Sequence, residues 1–322
     1  MTMNMHTWTS DPNTAPATSV SPLEQSGSPK TKFSKNKSYT KTDIYQVVTN
    51  SIIEVLEMGG KPWVCPWVRN GVAADLPANF STGTAYSGIN IMLLWSSAAK
   101  QGFQDSRWLT YKQAKELGGQ VRKGESGTIA IFYKTLEKEA DDGEIEKIPM
   151  LKSFTLFNVE QIEGLKMGSS DGTETEPQPV DVFDPLPQVE NLFQRSGASI
   201  MERGQQAFYR PSTDEIWLPE RRLFADAANF YATGLHELVH WTGAKSRLNR
   251  EKGNKFGSEK YAFEELIAEL GSAFLMADLG VVGEVQHESY IASWLKALKG
   301  DTRYIFKAAS AAGKAHRYLM DC

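Results

Sequence analysis

Gly234-Leu-His-Glu-Leu-Val-His-Trp-Thr-Gly243, or GLHELVHWTG, holds two of the chain's five histidines, four residues apart, with a glutamate directly after the first. Residues four apart share one face of a helix, so His236 and His240 can both point at one ion. Glu237, one step round, can reach a water beside that ion without ligating it. Leu235, Leu238 and Val239 give the segment an apolar side, and Gly243 marks a stop straight after the second histidine. The competing reading is a solvent-facing helix that spells the same letters by chance. An apolar side for packing favours the metal-binding helix of a hydrolase.

This is the HExxH pattern of zincins, in which the metal acidifies a water and the glutamate removes its proton. A third ligand is needed, and YAFEELIAELGSAFLMADLG, beginning at Tyr261, offers candidates. Glu265 and Glu269 lie four apart among Ala262, Leu266, Ala268 and Phe274. Carboxylates on the buried side of a helix are costly unless paired or bound to metal. The gluzincin pattern takes its third ligand from a following helix, with a further acid one turn on holding a histidine ring from behind. Glu265 as ligand and Glu269 behind the ring fit that pattern. Glu264 is the alternate ligand, because the helix rotation is open by a residue. Either acid could instead pair with Arg247 or Arg250 of SRLNREK.

Composition narrows what surrounds this helix. The chain has 322 residues, room for two domains, and a hydrophobic fraction of 41%. No apolar run approaches a membrane span. The Ser/Thr/Pro-rich start has no apolar signal core, so no secretion is expected. Two distant cysteines, Cys65 and Cys322, argue against a disulfide framework and against a thiolate zinc site, and suit the cytosol. Net charge is −4, but residues 1–166 carry 18 basic against 17 acidic side chains and the remainder 17 against 22. Between residues 100 and 134 there are seven basic and three acidic residues, a local basic patch on an acidic protein.

Patterning predicts an α+β protein of two domains: a mixed α/β first half and a mainly helical second half. We expect a disordered tail over 1–39, a domain over 40–166, a linker over 167–188 and a second domain over 189–322. Helices are expected in DIYQVVTNSIIEVLEMGG, NIMLLWSSAAKQG and TYKQAKELGG, and strands in GTIAIFYKTLEKE and KIPMLKSFTLFNVEQIEG. The second half reads as a helix near 189–201, an extended pair in GQQAFYRPSTDEIWLP, then helices near 223–242, 258–279, 286–298 and 301–320. With few apolar residues in the linker, each half is expected to fold alone.

The stretch HELVHWTG…SRLNR…FGSEKYAFEELIAELGSAFL…SYIASWLKALKGDTRYIFKAASAAGKA resembles the zincin-like domain of ArdC-type antirestriction proteins. PW…NFSTGTAYSGINIMLLW…WLTYKQAKELGGQVRKGESGTIAIFYK is similar to the single-stranded-DNA-binding domain of that family, shared with TraC-type conjugation primases. The resemblance covers about 40–166 and 190–320. It implies a plasmid protein of the bacterial cytoplasm that protects DNA from restriction as the DNA enters a conjugation recipient. It implies a gluzincin-like or SprT-like metallopeptidase fold, with His236, His240 and a glutamate of EELIAE as metal ligands and Glu237 as catalytic base. Zinc is the expected ion, with another divalent cation such as manganese as the alternative. The expected partners are single-stranded DNA and a protein substrate, with no membrane.

Single-strand binders combine aromatic faces for base stacking with cations that follow the phosphates. The first half is dense in aromatics, including Trp63, Trp67, Phe80, Trp95, Trp108, Phe132, Tyr133, Phe154 and Phe157, many of which must be core. Tyr86, Tyr111, Lys112, Gln113, Arg122 and Lys123 are the DNA-contact candidates, because their surroundings are loop-like or polar. Three functions compete: a DNA-binding metallopeptidase, a DNA-binding protective protein whose zincin domain is structural or binds peptide without turnover, and a primase-like nucleic-acid enzyme. No acidic DxD cluster beside a Gly-rich strand supports the third.

Overall fold

The metal-motif helix packs against the helix of EELIAE, and two glycines set how closely its neighbours approach. A Cβ at Gly271 would sit 2.9 Å from both Val239 methyls, and one at Gly234 would sit 2.6 Å from Phe193 Cζ. A larger residue at either place pushes an element away from this helix. A computed structural model describes residues 43–66, 75–139, 145–166, 184–250, 258–282 and 290–322, with backbone alone for 134–139 and 145–150. The described residues all belong to one unit, Thr42–Cys322. The proposed tail and most of the proposed linker lie outside them, as does Trp67.

The first half opens with helix α1 (Ile44–Glu57), capped by Asp43, whose side chain accepts from the Tyr45 N–H. Strand β1 (Ala78–Asn79), helix α2 (Ile89–Gln101), strand β2 (Arg107–Thr110) and helix α3 (Tyr111–Glu116) follow. After β3 (Gln120–Val121) comes a long hairpin of β4 (Thr128–Glu139) and β5 (Ile145–Asn158), then β6 (Ile162–Glu163). The main sheet runs β1-β2-β5-β4, with β1 parallel to β2 and the other pairs antiparallel, while β3 and β6 form a separate ribbon. Asn90 ties α2 to the sheet, donating to the Ile131 carbonyl at 2.9 Å and accepting from its N–H at 2.8 Å.

The second half begins with α4 (Pro187–Ser196). The sequence placed this helix as far as residue 201. Gly197 ends it instead, at φ +73°, and Ser199–Glu202 form strand β7. Glycine takes that left-handed conformation without a Cβ penalty, so the helix stops there. Strands β8 (Phe208–Arg210) and β9 (Glu215–Leu218) complete a sheet of order β7-β9-β8, in which β7 is parallel and β8 antiparallel to β9. Ile216 and Leu218 of β9 face the core. Helices α5 (Ala227–Thr242), α6 (Glu259–Asp278), α7 (Ile291–Gly300) and α8 (Tyr304–Met320) finish the chain. The mixed sheets of the first half and the mainly helical second half give the α+β architecture expected.

The expectation of halves that fold alone needs correction. One buried cluster holds Ile52, Leu56, Trp63, Trp95 and Trp108 of the first half together with Leu235, Leu266, Phe274, Trp294 and Ala312 of the second. Trp95 meets Phe274 edge to face, and Thr49 donates to the Thr302 carbonyl at 2.7 Å. Apolar side chains that sequence periodicity assigns to a local core here bury one another across the chain, so removing either half exposes the other's core.

Candidate metal centre

Helix α5 runs from its Asp226 cap, which accepts from the Asn229 N–H, to Thr242. Gly243 follows with φ −75°, so its role is not a left-handed cap. The last carbonyls are satisfied by the next loop instead. Arg247 Nε donates to Trp241 O at 2.7 Å, Arg250 Nη2 to Val239 O at 2.7 Å, and the Leu248 N–H to Thr242 O at 3.0 Å. Two guanidinium groups at the negative end of a helix also complement its dipole. The SRLNR segment therefore fixes the end of α5 that carries His240.

One turn apart, His236 and His240 face α6. The Nε2 atoms of the two rings lie 3.5 and 3.4 Å from the two oxygens of Glu265. Ligand atoms of His236, His240 and Glu265 all fall within 4.8 Å of one another. Each imidazole also has a carboxylate behind it. His240 Nδ1 is 3.3 Å from Glu264 Oε1, and His236 Nδ1 is 3.8 Å from Glu269 Oε2. Three adjacent positions in helical space thus take different places: Glu265 between the rings, Glu264 behind one, Glu269 behind the other. Glu264 is further held by Arg250, whose Nη2 lies 2.7 Å away. The Arg250 pairing weighed from the sequence exists, and it falls on Glu264.

All three glutamates and His236 are buried, and α6 as a whole carries an unusual load of charge for a core helix. Burial alone would raise the Glu264 carboxyl, but the hydrogen bonds from His240 and Arg250 pull it down to about 2. Glu265 is depressed further, because both imidazoles outweigh its burial. Burial works against charge on His240 as well, yet Glu264, Glu265 and the nearby Glu237 raise it to about 9. Tyr261, one turn before Glu265, is pushed far above the usual tyrosine range by burial, by its bond to Tyr290 and by the Glu265 charge. Two imidazoles, each with a carboxylate on its far side, and the Glu265 carboxylate form a donor set suited to a divalent cation. Glu237 is 7% exposed beside this cluster, and among the described residues no hydrogen bond occupies its carboxylate.

The DNA-contact candidates are less uniform. Tyr111 is half exposed at the start of α3, its ring edge-on to Phe157. Lys112 is exposed and 3.6 Å from Glu116, while Arg122 pairs with Glu125 at 2.8 Å. Lys123 is exposed in the turn after β3. Because α3 packs against β3, these four share one corner of the fold. Tyr86 is partly buried against the main core, with burial raising its hydroxyl pKa. Gln113 closes the capping box of α3, exchanging bonds with Thr110, and it also bonds Asn79. A T-x-x-Q sequence opening a helix carries that signature. Phe132 and Tyr133 on β4 are 48% and 58% exposed, more open than most aromatics of the first half. No helix of the described residues is long and apolar enough to cross a membrane.

Comparison with known proteins agrees with this architecture. Residues 42–157 match the N-terminal domain of anti-restriction factor ArdC, and residues 187–311 match the zincin-like metallopeptidase family. The chain is 43% identical to the metal-free crystal structure of antirestriction protein ArdC from plasmid R388, with TM-score 0.73, covering 87% of this chain and 97% of that one. The Mn(II)-bound structure of that protein gives 42% identity and TM-score 0.72, with the same coverage. A DNA primase TraC of Escherichia coli is 40% identical over 299 residues, 87% of this chain but 20% of the primase. Protein y4eC of Sinorhizobium fredii is 40% identical over 283 residues, 85% of this chain and 90% of that protein. The chain thus spans about a fifth of the primase's length.

Proposed function

Because this chain belongs to the ArdC family of antirestriction proteins, we propose that it combines single-stranded-DNA binding with a zinc-dependent peptidase site. The observation that carries the peptidase reading is the convergence of both Nε2 atoms on Glu265 beside the buried Glu237 carboxylate. His236, His240 and Glu265 would hold the ion. When bound, a divalent cation supplies Lewis-acid polarisation and a more acidic water. Glu264 accepts from the Nδ1 side of His240, and the Glu269 carboxylate faces that of His236 at 3.8 Å, so the two carboxylates orient the Nε2 lone pairs inward. Glu237 takes the proton of the attacking water and passes it to the departing amine. Two imidazoles and a carboxylate would suit zinc, and manganese is the alternative occupant.

For DNA, support comes from the corner where Tyr111, Lys112, Arg122 and Lys123 meet, and from the open Phe132 and Tyr133 on the hairpin. Stacking faces beside unburied cations are what a sequence-tolerant single-strand binder needs. DNA enters a conjugation recipient as a single strand, and coating that strand denies restriction enzymes their duplex. The cellular test scores plasmid establishment in recipients with restriction switched on and off. Variants that fail to bind single-stranded DNA are expected to lose protection, while Glu237→Gln retains part of it. Full protection by a DNA-binding-defective variant would assign protection to the metal-centre half instead.

A further inference from the structure

Behind the metal centre, the carboxylate that backs His236 is itself held from the other half of the chain. Trp63, in the turn after α1, donates its indole N–H to Glu269 Oε1 at 3.2 Å, across 206 residues of sequence. The other oxygen, Glu269 Oε2, faces His236 Nδ1 at 3.8 Å. Trp63, Glu269 and His236 are all nearly fully buried. An indole N–H can only donate, so it engages one carboxylate oxygen and leaves its twin for the imidazole. Packing locks the indole in turn: Trp63 meets Trp294 edge to face, with ring centroids 5.6 Å apart. Trp294 spends its own N–H on the Ala262 carbonyl, 2.8 Å away, and takes no part in the carboxylate chain.

We infer that Trp63 is a positioning residue for the metal centre: it sets the Glu269 carboxylate, which sets the His236 ring. The inference rests on the proposal that His236, His240 and Glu265 hold the ion. It makes the centre a joint product of the ArdC N-terminal stretch and the zincin-like stretch, so the second half alone would hold metal poorly. Losing an outer partner of a ligating histidine weakens metal affinity by roughly 10- to 100-fold.

The test is Mn(II) titration of the full chain, followed by electron paramagnetic resonance, in the unaltered protein, Trp63→Phe, Glu269→Gln, Trp294→Phe and the Trp63→Phe/Glu269→Gln pair. Trp63→Phe keeps an aromatic ring but loses the donor, and is expected to weaken binding about 10-fold. Trp294→Phe perturbs the same ring pair without touching the carboxylate and should stay within about threefold. The double variant should bind no more weakly than Glu269→Gln, since both changes break one chain. Unchanged affinity in Trp63→Phe, an equal loss in Trp294→Phe, or fully additive losses would each overturn the inference. A readout in the unaltered protein does not depend on variants folding: the Trp63 indole N–H resonance should shift when zinc is added, and a resonance that stays in place would also overturn it. Absence of any Mn(II) or zinc uptake by the unaltered protein would remove the metal-site proposal itself, a distinct failure that no variant is needed to see.

Discussion

Metal uptake should be coupled to proton release in a way that the His240 environment sets. Without an ion, the carboxylates of Glu264 and Glu265 and the charge of Glu237 overcome burial and raise His240 to about 9. A cation can use only the neutral imidazole, so binding must displace that proton. The sign follows: below pH 9 the apparent affinity falls as pH falls, by about tenfold per unit for one displaced proton. Between pH 9 and pH 7 this amounts to roughly 100-fold. Calorimetric titration with Mn(II) from pH 6.5 to 8.0, in buffers of different ionisation enthalpy, counts the protons. About one proton per ion should be released from His240 at pH 7. An affinity that is flat over this range, with no buffer-dependent heat, would show that His240 is already neutral and that the carboxylate cluster does not hold its charge.

The two adjacent glutamates should part company on substitution. Glu265→Ala should abolish stoichiometric metal, whereas Glu264→Ala should weaken it about 10-fold and cost stability on the order of 3 kcal/mol by stranding the partly buried Arg250, as metal analysis and denaturant melts would show. Gly271→Ala gains about 1 kcal/mol of helix propensity but forces a methyl against both Val239 methyls, at a cost of about 1–3 kcal/mol. The melt should therefore move down, and a rise would mean that α5 and α6 have room to spare. On the DNA side, removing Arg122 and Lys123 together should flatten the salt dependence of single-strand affinity. Tyr111→Ala should lower affinity with little change in that slope, as fluorescence anisotropy in a salt series would report.

Helical periodicity made α1, α2, α5, α6 and α8 legible to within a few residues, because each alternates an apolar stripe with polar positions. The four-residue spacing of His236 and His240 likewise forces their proximity on any helix. Which of Glu264 and Glu265 faces them was open in the sequence, since neighbours on a helix differ by about 100° of rotation and the packing of α6 on α5 decides it. Strand β7 has no local signature, because its pairing with β9 is parallel and non-local, and the helix stop before it rests on the single glycine Gly197. Gln113 reads as a DNA-contact candidate from its polar surroundings, although Thr110 three residues earlier marks it as a cap. Trp63 could not be separated from the other aromatics of the first half, because its partner lies more than two hundred residues away. The same non-local burial is why two stretches that look separable in sequence share one core.

The proposal that His236, His240 and Glu265 hold a divalent ion for Glu237 to use as a base is tested most directly by Glu237→Gln. The amide keeps the shape of the side chain and cannot accept a proton. Zinc content and cleavage of a peptide substrate, including the protein's own chain, are measured side by side with the unaltered protein. The variant should retain about one ion per chain and lose cleavage by roughly 10²- to 10⁴-fold. Undiminished cleavage by Glu237→Gln would contradict the assignment of the base, and loss of the ion from this variant would contradict the assignment of the ligands.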